Sequence, residues 1–187
     1  MIRESIWSMS PDGTNLTKII AGPDSVGVPR LSPDGLRLGY LSAELDKLPP
    51  DYLPAPGLPP GNVLSVMDLA DRSKAAWARA GEGAFGTFGW SATGEELLVV
   101  AQAWSKGRFQ DTEVRRIGKG TSLAVAKIPQ SQSPMEVTDI MECRDRTLFW
   151  VGKESTSTKL YASREQNSQV VFDFPDGAIQ LLGCVNR

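Results

Sequence analysis

The chain has 187 residues, with 20 Lys and Arg against 22 Asp and Glu, a formal net charge of −2, 2 cysteines and no histidine. A near-neutral balance gives no global electrostatic pull toward nucleic acid, and the lack of histidine excludes Ser-His-Asp and Cys-His devices and every His-ligated metal site. Two cysteines are too few for a disulfide framework or a four-thiolate zinc site, while 41% hydrophobic and 22% charged residues describe an ordinary globular chain long enough for one domain with a core.

Met1 is followed by Ile2, Arg3, Glu4 and Ser5 with no apolar stretch behind them. No run approaches the ~18 apolar residues of a membrane helix. Neither a signal peptide nor a transmembrane segment is expected. The plain expectation is a cytoplasmic protein, or a periplasmic or membrane-peripheral one if a targeting segment is missing from this sequence.

In chain order, residues 5–9 read as a strand that turns at Ser10-Pro11-Asp12-Gly13 into a second strand over 16–20. Residues 28–31 run into Ser32-Pro33-Asp34-Gly35, and 36–42 leave it. Proline presets φ for a turn, aspartate bonds its own backbone, and glycine accepts positive φ, so this is a hairpin signature. The Pro-rich segment 43–61 follows, and residues 62–69 then turn at 70–73 into 74–77. The hairpin recurs at Ser91-Ala92-Thr93-Gly94, between strands 87–90 and 95–100, and at Cys143-Arg144-Asp145-Arg146, between 139–142 and 147–151. Outer hairpins follow each inner one, at 122–137 and 159–172, and the chain ends at Cys184-Val185-Asn186-Arg187 after an apolar stretch at 178–183. The turn thus recurs at Ser32, Ser91, Cys143 and Cys184, at intervals of roughly 40–60 residues, close to the period of propeller blades.

The stretch IWSMSPDGTNLTKI followed by VPRLSPDGLRLGYLS resembles the repeat of TolB-type propellers, which are related to the WD-repeat class. The match is close over 6–42, looser over 85–100 and faint from 140 onward. The resemblance implies a β-propeller whose outer hairpin, ending in Asp-Gly, leads into an inner hairpin with Ser-Pro-Asp-Gly. It implies no catalytic residue, since such propellers serve as docking platforms, ligand-binding rings and gating domains of peptidases. The expected fold is all-β: a single domain, 1–187, forming a small propeller of about four blades of four-stranded antiparallel sheets. The blades would span about 26–80, 84–138 and 139–174. A fourth would be shared between the C-terminal strand, 177–187, and the N-terminal hairpin, 5–20. Closure removes exposed strand edges. The sequence leaves open whether this ring closes alone, is completed by another chain, or is part of a longer propeller.

Two insertions are expected at the second-to-third strand connection, and therefore on one face. The first, 43–61, contains Pro49, Pro50, Pro54, Pro56, Pro59 and Pro60, interleaved with Leu45, Leu48, Tyr52, Leu53 and Leu58. Pro-rich segments are extended and lose little entropy on ordering, which suits an arm lying along a partner. The second, 103–120, carries Trp104, Lys106, Arg108, Arg115, Arg116 and Lys119 against Asp111 and Glu113. It suits contact with an acidic protein, phosphate or anionic lipid, or it is a solvated hairpin tip. The expected partner-binding residues are Leu48, Tyr52, Leu53, Leu58, Trp104, Lys106, Arg108, Arg115 and Arg116.

Cys143 and Cys184 are expected to be free structural thiols, because equivalent positions of adjacent blades should lie beyond disulfide reach. Trp7, Trp77, Trp90 and Trp150 fall on strands and are expected in the core. Asp12, Asp34 and Asp176 precede glycines in turns, without the spacing of a calcium loop. Glu95 and Glu96 are adjacent on a strand and point to opposite faces, so they are no acid–base pair. No phosphate-binding or nucleophile-elbow motif is present, and no catalytic residue, cofactor or metal is expected. The expected function is a non-catalytic protein-binding scaffold, an accessory subunit of a larger complex. The alternative is an enzyme's propeller, peptidase-gating or glycan-active, with carboxylates distant in sequence, or a small-ligand binder.

Overall fold

The computed structural model describes residues 5–21, 26–48, 61–81, 83–105, 108–128, 136–154, 157–164, 167–175 and 177–184. Among these, every paired strand is antiparallel. The first two, β1 (Ser5–Ser8) and β2 (Thr17–Ala21), form a two-stranded sheet. Three four-stranded meanders follow. The first blade holds β3 (Val26–Leu31), β4 (Arg37–Ser42), β5 (Val63–Asp68) and β6 (Lys74–Arg79). The second holds β7 (Gly83–Trp90), β8 (Leu97–Ser105), β9 (Arg108–Gly118) and β10 (Thr121–Lys127). The third holds β11 (Glu136–Glu142), β12 (Leu148–Lys153), β13 (Thr158–Arg164) and β14 (Asn167–Phe174). Within each blade the strands follow one another outward in chain order.

The Ser-Pro-Asp-Gly turn works as its chemistry demands. The Ser32 N–H donates to Arg37 O, Gly35 N–H to Ser32 O, and Arg37 N–H to Ser32 Oγ. Gly35 has φ +71°, a region in which a Cβ is strained. The second copy repeats this, with Ser91 N–H on Glu96 O and Glu96 N–H on Ser91 Oγ. In the third, Cys143 N–H donates to Thr147 O, and Arg146 takes the positive φ.

Hydrophobic clusters lie between neighbouring sheets rather than within one. Ile6 and Ile20 of the N-terminal hairpin join Leu38, Tyr40 and Met67 of the first blade. Leu41, Leu64 and Val66 meet Phe85, Phe88, Leu97 and Ile117 of the second. Leu98, Val100 and Val114 meet Ile140, Leu148, Trp150 and Tyr161 of the third. Burial falls outward: β4 and β5 are almost wholly buried, whereas β6 and β14 are largely exposed. Trp90 and Trp150 are core residues, the latter stacked on Tyr161 with centroids 3.8 Å apart. Trp77 is half-buried, edge-on to Trp90. Trp7 departs from the expectation. It is 49% exposed, beneath the ammonium of Lys18, because the outer face of the two-stranded sheet has no neighbour among the described residues.

The innermost strands β3, β7 and β11 run side by side. Trp90 Nε1 donates to Arg30 O at 2.9 Å, and a Cβ on Gly89 would collide with the carbonyl oxygen of Ile140. That close approach is one only glycine permits. The C-terminal segment 177–184 forms no strand among the described residues, unlike the strand expected there, and no ladder joins it to β1 and β2. It nevertheless runs from the start of β13 along β11. Thr158 Oγ1 donates to Gly177 O at 2.7 Å, Leu181 N–H donates to Asp139 Oδ2 at 3.1 Å, and Cys184 is disulfide-bonded to Cys143 with Cα atoms 5.6 Å apart. The expectation of two free thiols is therefore wrong. Its premise fails because the C-terminal segment adds no blade strand among the described residues: it lies against β11, and that brings Cys184 to Cys143.

Candidate functional site: insertion face, axis and rim

The Pro-rich connection leaves β4 and returns to β5. Its ends are held by Asn62, whose Oδ1 accepts the Glu44 N–H at 2.7 Å and whose Nδ2 donates to Glu44 O at 3.0 Å. Asn62 N–H donates to Ser42 O, and Phe85 N–H donates to Gly61 O. Glu44 also binds Arg79 at 3.1 Å. A short 3-10 turn, Leu45–Lys47, begins the connection. Leu48 is half-buried at its end, while Tyr52, Leu53 and Leu58 lie outside the described residues.

The basic segment is not an insertion. Strand β8 continues to Ser105 and β9 starts at Arg108, so most of 103–120 is a long hairpin with Trp104 paired to Phe109 and Ser105 to Arg108. Lys106 and the side chains of Trp104 and Arg108 lie outside the described residues. Alternation along β9 sends its two central arginines apart. Arg115 shares the side of Ile117, which faces the first blade, and binds Glu113 at 2.7 Å and Ser122 at 2.9 Å. Arg116 shares the side of Val114, which faces the third blade. It binds Glu96 at 3.0 Å and Glu142, whose side chain is 2% exposed. The hydrogen bond to Glu142, then Glu96, raises the Arg116 pKa above its ordinary value against the opposing effect of burial. Glu142 also accepts the Ala92 N–H at 3.2 Å. Arg116 thus ties two blades together and is not a free cation for a partner.

Near the axis, Arg30 of β3 meets Asp139 of β11 at 3.1 Å. The register shifts in all three innermost strands, between Gly27 and Arg30, Phe85 and Phe88, and Val137 and Asp139. Bulges of this kind re-aim side chains. Val28, in the first of them, has φ +53°, a strained conformation for a β-branched residue.

The turn aspartates are structural. Asp34 is held below the usual carboxylate value by the Ser32 hydroxyl and then the Leu36 N–H. Asp12 is lowered by the Thr14 hydroxyl and N–H, and Asp145 by the Thr147 N–H and hydroxyl. Asp176 lies outside the described residues. No helix among those residues is long and apolar enough to cross a membrane.

At the rim, a groove of about 450 Å³ separates β6 of the first blade from β9 and β10 of the second, with Trp77, Arg79, Phe85, Arg115, Ile117 and Ser122 among its walls.

No family model matches the chain, and no curated protein matches it. Solved structures do. TolB from Acinetobacter baumannii matches with a TM-score of 0.61 at 15% identity, over 89% of this chain and 36% of that one. A luciferin-regenerating enzyme matches at 0.61 and 11% identity, over 93% and 57%. An oligogalacturonate lyase from Vibrio parahaemolyticus matches at 0.58 and 12%, over 89% and 42%. The chain has a TolB-like β-propeller fold, and it spans between about a third and three-fifths of the length of these structures. The expectation that it is not an enzyme does not stand. Two of these structures are enzymes on the same fold, so the lack of a histidine-based nucleophile set is no ground for excluding catalysis.

Proposed function

We propose that this chain is a protein-binding propeller that joins a larger assembly through the face bearing segment 43–61. The observation that carries the reading is the contrast among second-to-third strand connections. The first blade leaves Ser42 and resumes at Val63, whereas the second resumes at Arg108 after Ser105 and the third at Thr158 after Lys153. Loops carry function on rigid scaffolds, and the Asn62 clamp supplies a rigid root for this one. In this reading Leu48, Tyr52, Leu53 and Leu58 bury against the partner, and Trp104, Lys106 and Arg108 at the hairpin tip add contacts on the same face.

The test replaces residues 46–60 with a short Gly-Ser link and compares the native mass and companions of the tagged chain, isolated gently from the cells that make it. Loss of defined companions with an unchanged melting curve is expected. An identical set of companions would overturn the reading.

A second reading, ligand binding at the axis, is favoured by the strained Val28 beside the Arg30–Asp139 pair, since strain of this kind clusters at functional sites. Arg30→Ala should then abolish a ligand-induced thermal shift found by screening metabolite mixtures. A shift that survives the substitution speaks against it.

A further inference from the structure

The rim groove has the volume of a ligand-sized site, within the range of about 300–1,000 Å³. Residues 77–80 form one wall. Side chains alternate along a regular strand, but the register of β6 shifts at Trp77 and the strand ends at Arg79, so the edge is located by its backbone hydrogen bonds. Strand β6 is the outermost of its sheet. Ala80 sends its N–H inward to Asn62 O at 2.9 Å, which turns the N–H and C=O of Arg79 toward the open edge. An open edge is a template for an added strand.

Phe85 and Ile117 lie buried beneath the groove, beside half-buried Trp77, which offers it an aromatic surface. A guanidinium stands on each side: Arg79 on β6 and Arg115 on β9. Arg79 binds Glu44 through Nε and Nη2, and Arg115 binds Ser122 and Glu113 through Nε and Nη1. Among the described residues these bonds occupy two of the five donors each guanidinium carries, leaving capacity for a further carboxylate from each wall. The exposed Lys119 lies in the turn that closes one end.

We infer that this groove takes an extended acidic peptide of a partner protein, added to the free edge of β6, with carboxylate side chains on Arg79 and Arg115 and an apolar one on Trp77. The inference rests on the protein-binding reading but not on the Pro-rich arm.

The test uses the full chain and a fluorescein-labelled peptide, Val-Glu-Val-Glu-Val-Glu, followed by fluorescence anisotropy. Saturable, salt-sensitive binding is expected. Arg115→Ala and Arg79→Ala should each weaken it about tenfold, the worth of one charge-assisted hydrogen bond. Arg115→Lys should weaken it less, and alternate N-methylation of the peptide backbone should abolish it. The inference is overturned if wild type does not bind, or if the N-methylated peptide or a Lys-for-Glu peptide binds equally well. Loss of binding on replacing 46–60 alone would move the peptide to the arm, overturning the groove while sparing the protein-binding reading. Peptide binding that survives this replacement supports the groove, even where native companions are unchanged and the arm reading has failed.

Discussion

Segments 43–61 and 103–120 resemble each other in sequence, since each breaks an apolar run after the second strand of a blade with residues that look solvent-bound. The fold separates them. The first is a long connection whose described ends are held by Asn62 and Glu44. The second is mostly strand, and its arginines divide between two blade interfaces. The difference teaches that a run of charge is not a loop signal by itself. A strand between two other blades can carry a cation on either face where a carboxylate meets it, as Glu113 meets Arg115. On the other face Arg116 meets Glu142, and the neighbouring residue, Cys143, bonds the C-terminal segment. Two adjacent residues therefore attach the third blade both to the second blade and to the C-terminal segment.

The largest expected effects test the structural side of this contrast. Glu142→Ala leaves Arg116 half-buried with one weaker partner. Breaking a buried pair from one side costs about 3–5 kcal/mol when the charge is left unpaired; with Glu96 still bound to Arg116 a loss of no more than about 3 kcal/mol is expected, to be read from the urea midpoint. A loss no larger than that of an exposed Glu→Ala control would return Arg116 to the surface. Next, Cys143→Ser should lower stability by about 2–4 kcal/mol, the usual worth of a disulfide closing a loop of this size. It should also open residues 177–184 to proteolysis. Unchanged stability and cleavage would show that the hydrogen bonds to Asp139 and Thr158 suffice to hold the segment.

The opposite result is expected for the arm. Replacing residues 46–60 should change folding stability by no more than about 0.5 kcal/mol, as for surface changes that touch no core. A larger loss in calorimetry would mean that the segment packs on its own blade. The smallest effect belongs to the turn. The Asp34 carboxylate should titrate below 3.8 by NMR, and Ser32→Ala should move it back toward that value. Because its folded pKa is depressed, its contribution to stability is fully present above the ordinary carboxylate value and is lost as pH falls through the lowered one. An unshifted midpoint would remove the Ser32 hydroxyl as the cause.

Much of the molecule is local chemistry and was legible. Ser-Pro-Asp-Gly at 32–35 and Ser-Ala-Thr-Gly at 91–94 mark their turns through residues that satisfy their own backbone, and the outer hairpins follow by alternation. The flanks of Arg115 and Arg116 held a signal that a charge count overlooks. Val114 and Ile117 stand on opposite sides of a strand, so one arginine had to accompany each. Of the candidate site, the position of the Pro-rich segment could be read, but the groove could not. Its walls come from β6, β9 and β10, and nothing in the spacing of Arg79 and Arg115 says that they face one another.

Sequence alone determined the all-β class, the repeat and the turn positions, because period-2 burial and turn torsions act over a few neighbouring residues. The tertiary structure decided which distant groups meet. Cys143 reaches Cys184 because the C-terminal segment lies against β11, Arg30 of the first blade reaches Asp139 of the third, and Arg116 finds Glu142 between blades. Each of these pairings depends on how whole sheets stack, and stacking is set by the shape of the shared cores rather than by any local spacing.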